Sequence, residues 1–275
     1  MADRENKWEE NLLCACGNRG DVPGGRIPMA RIREKLDALE EAGDPAGAVR
    51  LLDYWLAEAR QVGDRVGEAL IENEYVGVHR KAGQGEEALL HGERALALME
   101  TCGLEGTVTA GTTRINLATA CTAFGQPERA ALLFAQAREI YEARLDPSDG
   151  RLGGLYNNMG LCMISLERFA EGRALFERAL EVVRRHAGGE GEAAITCLNL
   201  ADLASAEAEA AGDEDALVRA AEETEQLVAR AWELLNAPEL PRDAYYRFIC
   251  GKCAPVMAHY GRLDWAEELQ ARAET

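Results

Sequence analysis

A pair of amphipathic helical segments recurs along this chain at a step of about 42 residues, and no other feature constrains the fold as strongly. The clearest copy runs from Tyr156 to Leu180. Met159, Gly160 and Met163, and after a short polar break Phe169, Gly172, Phe176 and Ala179, fall at helical spacing in two runs, which predicts a helix hairpin. Gly160, Gly172 and Ala179 let two helix backbones approach closely, while Met159, Phe169 and Phe176 supply apolar area around them. A hairpin of this size cannot bury its own apolar face, so it needs neighbours stacked against it.

The sequence supplies those neighbours. One step before Asn158, Met159, Gly160, Gly172, Phe176 and Ala179 stand Asn116, Leu117, Ala118, Ala130, Phe134 and Ala137. Earlier copies keep Gly83, Ala88 and Ala95, then Gly43 and Ala48. Later copies keep Asn199, Leu200 and Ala201, then Gly261, Ala266 and Ala273. The expected organisation is an N-terminal arm or linker, 1–27, followed by about six units at 28–64, 65–106, 107–148, 149–190, 191–240 and 241–275. That is an all-α chain, an α-solenoid of helix hairpins.

The pattern over roughly residues 28–275 resembles tetratricopeptide (TPR) repeats, and its step of about 42 residues, with the words NNMG and FERAL, resembles the longer variety found in kinesin light chain. The resemblance implies a right-handed superhelix whose first helices line a concave groove that binds peptides or proteins, without enzymatic activity. It leaves the partner unspecified.

Composition narrows the choice. Few prolines and a low aromatic share fit an all-helical chain packed through small side chains. A net charge of −18 argues against nucleic acid or an anionic membrane as partner and favours a neutral or basic protein or peptide. No secretory signal and no membrane span is legible, which points to the cytoplasm. Of the eight cysteines, Cys121, Cys162, Cys197, Cys250 and Cys253 stand where a repeat needs a small buried side chain, so reduced thiols are expected. The CxxC spacing of Cys250 and Cys253, with Cys14 and Cys16 far away in sequence, reads as core rather than a zinc site. No cofactor or metal is expected, and Arg19-Gly20-Asp21 reads as a chance triplet.

Two regions depart from the repeat. In the fifth unit the turn glycine, Gly212, comes late and a long helix from Glu214 to Leu235 follows, which leaves its pairing open. In the sixth, Pro255 interrupts a helical run and predicts a kink near Gly251. The final helix has no further unit to cover it and is a candidate cap or homodimer contact.

Asn116, Asn158 and Asn199 recur at 42 and 41 residues on successive first helices, although asparagine is a mediocre helix former. An asparagine amide offers both donor and acceptor, which matches a peptide unit. By resemblance to the peptide-binding repeats this position faces the groove, while the competing reading is a ladder that fixes helix stacking. Asn73, Asn157, Arg114, Arg80, Lys81 and Lys252 are further groove candidates on the same helices. Catalytic signatures such as HExxH, GxSxG or a Walker loop are absent from the sequence, so no catalytic residue is assigned. The expected function is a non-enzymatic peptide- or protein-binding scaffold or adaptor. Its alternatives are a peptide-sensing regulator that changes superhelical pitch and, from another class, a helical hydrolase or phosphatase.

Overall fold

The computed structural model describes residues 26–185 and 188–274, and among them it contains twelve α-helices and no strand. The chain divides into two compact units, one ending at Leu145 and the other running from Asp146 onward. The N-terminal unit holds α1 (Met29–Glu41), α2 (Pro45–Val62), α3 (Arg65–Lys81), α4 (Gly85–Thr101), α5 (Val108–Ala123) and α6 (Pro127–Arg144). The C-terminal unit holds α7 (Gly150–Ser165), α8 (Phe169–Val183), α9 (Glu190–Ala211), α10 (Glu214–Leu235), α11 (Ala244–His259) and α12 (Leu263–Glu274). Consecutive helices pair as hairpins, α1 with α2 through α11 with α12.

Local chemistry explains where the helices begin and turn. Asp44 and Asp64 cap α2 and α3 by accepting from the backbone N–H of Gly47 at 2.7 Å and of Gly67 at 2.8 Å. Asp64 also accepts from the Ile27 N–H at 2.9 Å, which seats the start of the described chain on the first hairpin. Five of the six hairpins turn through a glycine in the left-handed region, Gly43, Gly83, Gly125, Gly212 and Gly261. In the fourth hairpin Glu167 takes that conformation at φ 57°, one 42-residue step after Gly125. A β-carbon makes this conformation costly, so Glu167 stores strain that its counterparts avoid.

The small residues of the repeat do what their spacing predicts. Phe134 and Phe176, one step apart, are both fully buried, as are Ala137 and Ala179. A β-carbon on Gly160 would lie 2.5 Å from the Phe176 ring, and one on Gly172 would lie 3.3 Å from the Gly160 carbonyl. These glycines therefore set the closeness of α7 and α8.

Within each unit the first helices also touch one another: α1 with α3, α3 with α5, α7 with α9 and α9 with α11. They line one face of each unit side by side. The fifth hairpin, whose pairing the sequence left open, is an antiparallel pair of two 22-residue helices, α9 and α10. α11 continues through Pro255 to His259. Among the described residues no helix is long and apolar enough to cross a membrane.

Candidate peptide-binding face

The first-helix face of the N-terminal unit is held by a polar ladder. Asn116 on α5 donates from Nδ2 to Oδ1 of Asn73 on α3 at 3.1 Å. Arg33 on α1 donates from Nε to Oε1 of Glu74 on α3 at 2.8 Å. Glu74 stands 42 residues before Asn116, and Arg33 a further 41 before that, so both occupy the register of the recurrent asparagine. Sequence reasoning passed over them because it followed residue identity, and continuing the numerical step would have found them. Lys81 pairs with Glu40 of α1, again joining first helices. Arg114 is held within its own hairpin and the turn before it, with Nη1 donating to the Ala110 and Glu105 carbonyls at 3.2 Å and Nε to Oε1 of Gln136 on α6 at 3.3 Å. Arg80 is half-buried on α3, and burial lowers the pKa of both Arg80 and Arg114.

The C-terminal unit builds its face differently. Asn199 on α9 donates to Oδ1 of Asn157 on α7 at 3.2 Å, and Asn157 donates to Oγ1 of Thr196 at 2.9 Å. The ladder therefore joins Asn199 to Asn157, the neighbour of the residue that shares its register. Asn158 is half-exposed and makes no side-chain hydrogen bond among the described residues. Lys252 is exposed on α11, with Nζ 5.5 Å from the Phe248 ring centroid. Farther along the same hairpins, Tyr260 donates to Oδ1 of Asp202 at 2.7 Å, and burial raises the Asp202 carboxyl.

A second polar cluster lies on another stripe of α3, between α2 and α4. Arg60 donates to Glu68 at 2.8 Å and to the fully buried Glu72 at 3.1 Å, and Arg65 donates to Glu68 at 2.9 Å. Glu72 also meets Nδ1 of His91 at 2.5 Å, while the His91 ring stacks on Tyr75 at 4.2 Å and Tyr75 donates to Asp53 at 2.7 Å. Burial works to raise Glu68, but the hydrogen bonds from Arg60 and Arg65 overcome it and leave its pKa below the ordinary glutamate range. Burial and the bond to Asp53 push the Tyr75 phenol far up. Every member of this cluster is engaged within the protein, so it fastens the second hairpin.

Cys250 and Cys253 are both buried, and burial raises both thiols, which suits inert core residues. Cys14, Cys16 and Arg19-Gly20-Asp21 lie outside the described residues.

The architecture defines a protein of stacked tetratricopeptide-like hairpins, and the tetratricopeptide repeat family model matches residues 67–143. Among solved structures, BtubC (BKLC) from P. vanneervenii is 23% identical over 73% of this chain and 80% of its own, with a TM-score of 0.62. A kinesin light chain protein of nearly identical TPR-like repeats from P. anserina is 19% identical over 76% of this chain and 97% of its own, at 0.61. A Rap protein complexed with competence and sporulation factor is 15% identical over 87% of this chain and 72% of its own, at 0.54. These likenesses bear out the resemblance to kinesin-light-chain-type repeats at the level of fold. No curated protein matches the chain in sequence.

Proposed function

We propose that this chain is a non-enzymatic binding module, an adaptor or scaffold that holds an extended peptide segment of a partner protein on its first-helix faces. Asn158 is the observation that carries the reading. It sits half-exposed on α7, beside the Asn157–Asn199 ladder, with the amide uncommitted. A helical asparagine with no structural partner is poorly explained by stability, and its donor and acceptor match a peptide unit. Asn199 and Asn157 hold the helices that present it. Asn116, Asn73, Arg114, Arg80 and Lys81 form the corresponding face of the N-terminal unit, and Lys252 extends the face on α11. The net charge of −18 favours a neutral or basic segment, and buried thiols such as Cys121, Cys162 and Cys253 suit a reducing cytoplasm.

A regulator that senses a peptide is the second reading, supported by the fold-level likeness to the Rap protein bound to its factor.

Affinity capture from native lysate with wild type, Asn158→Ala and Asn157→Ala separates the two roles of asparagine. Asn158→Ala should keep its thermal midpoint and lose the partner. Asn157→Ala strands the Asn199 donor and should lose stability, by about 1–3 kcal/mol. Identical partners captured by wild type and Asn158→Ala would remove this face as the binding site.

A further inference from the structure

The C-terminal hairpin carries a cleft of about 410 Å³ lined by Arg242, Tyr246, Arg247 and Arg272. Three arginines around one opening are unexpected in a chain with 48 acidic and 30 basic residues. Two of the three guanidiniums are fixed by neutral groups. Arg242 lies 4.1 Å over the Tyr246 ring and donates to the Leu235 carbonyl at 2.7 Å. Arg272 donates to the Tyr246 hydroxyl at 2.6 Å and to Oδ1 of Asn236 at 2.7 Å, and it lies 5.3 Å over the Trp232 ring. Arg247, half-buried on α11, makes no side-chain hydrogen bond or ion pair among the described residues. The carboxylate that engages the set is Glu268, on Arg272.

Arg242 and Arg247 have no carboxylate partner among the described residues, which leaves positive charge to be matched on guanidinium forks whose planar geometry suits a tetrahedral oxyanion. Carbonyl and aromatic partners orient Arg242 without neutralising it, and Arg272 is oriented by a hydroxyl, an amide oxygen, a ring and Glu268, so much of the ordering cost is met before any ligand arrives. The cleft is roomier than one oxyanion needs, which leaves space for a group that carries it. The chain's net charge of −18 repels polyanions, so a single dianionic group is admitted where a nucleic acid or an anionic membrane is not. None of the four lining residues belongs to the recurrent asparagine register.

We propose that this cleft binds a phosphoryl dianion, either free phosphate or a phosphate ester on a peptide side chain. The site is independent of the first-helix face and stands or falls without it.

Calorimetric titration of the full chain, at constant ionic strength set with chloride, tests the proposal with two probes, inorganic phosphate and a short phosphoserine peptide with its unphosphorylated twin. Saturable binding of at least one phosphoryl probe is expected, with no heat from the unphosphorylated twin. Arg247→Gln removes no hydrogen bond or ion pair among the described residues, so its thermal midpoint should stay close to wild type while affinity falls about tenfold or more. The Arg242→Gln, Arg247→Gln double variant should bind neither probe. A peptide that binds more tightly than inorganic phosphate assigns the esterified source, and equal or weaker binding assigns the free ion. The proposal is overturned if wild type binds neither phosphoryl probe at millimolar concentration, or if a folded Arg247→Gln binds as wild type does.

Discussion

α3, a first helix of the N-terminal unit, and α7 and α9, first helices of the C-terminal unit, present the same hairpin through different chemistry. In the N-terminal unit, α3 buries Glu68, Glu72, Asn73 and Glu74, and cations from α1, α2 and α3 satisfy the carboxylates through Arg33, Arg60 and Arg65. In the C-terminal unit, α7 and α9 bury Gly153, Leu155, Met159, Ala194 and Ala201, and the polar groups that join them are the uncharged Asn157, Thr196 and Asn199. Glu192 on α9 is half-buried without an ion pair among the described residues, and burial raises its carboxyl. A hairpin array thus needs a constant seam between its paired helices and tolerates either ionic or small-residue fastening elsewhere.

The seam is the place to break both units equally. Phe134→Ala and Phe176→Ala remove the fully buried ring at the same step of each, and each should cost about 3–5 kcal/mol in urea unfolding. A much smaller loss in one would mean that the shared seam is not what holds that unit. Gly160→Ala then sharpens the contrast, because the N-terminal unit already carries Ala118 at that step. The added methyl meets Phe176 and should destabilise by about 1–3 kcal/mol.

Charge separates the units by the sign of their pH response. The folded Glu68 pKa lies below its unfolded value, so its contribution is full above about pH 4.3 and is lost as pH falls through the folded value. Glu192 runs the other way: its raised folded pKa makes its contribution full below about pH 4.3 and lost as pH rises through the folded value. At neutral pH, therefore, Glu68→Gln should lower the thermal midpoint and Glu192→Gln should raise it. Both differences should shrink in acid. Midpoints that move in the same direction at neutral pH would refute the contrast between the ion-paired Glu68 and Glu192, which has no ion pair among the described residues.

The smallest expected effect lies at a turn. Glu167→Gly gives the fourth hairpin the residue its five counterparts use, and it should add about 1 kcal/mol, read from the same urea curves.

Much of this was legible in the sequence because the repeat is a periodic signal. The 42-residue step located Phe134 and Phe176 in the core, and the small residues Gly160 and Gly172 marked the close approach of α7 and α8. The site was legible only in part. Recurrence identified Asn116, Asn158 and Asn199 as equivalent, but equivalence in register does not fix hydrogen-bond partners. Asn116 and Asn199 reach back to Asn73 and Asn157, one position off the register of Glu74 and Asn158.

By itself the sequence determined the helical class, the hairpin step and the residues of the seam, since backbone periodicity and side-chain size act over one or two turns. Tertiary structure decided which polar groups satisfy one another. It paired Arg33 with Glu74, left Asn158 uncommitted, and gathered Arg242, Arg247 and Arg272 from the two ends of the last hairpin around one cleft. Those outcomes depend on distances between helices far apart in the chain, which no local pattern records.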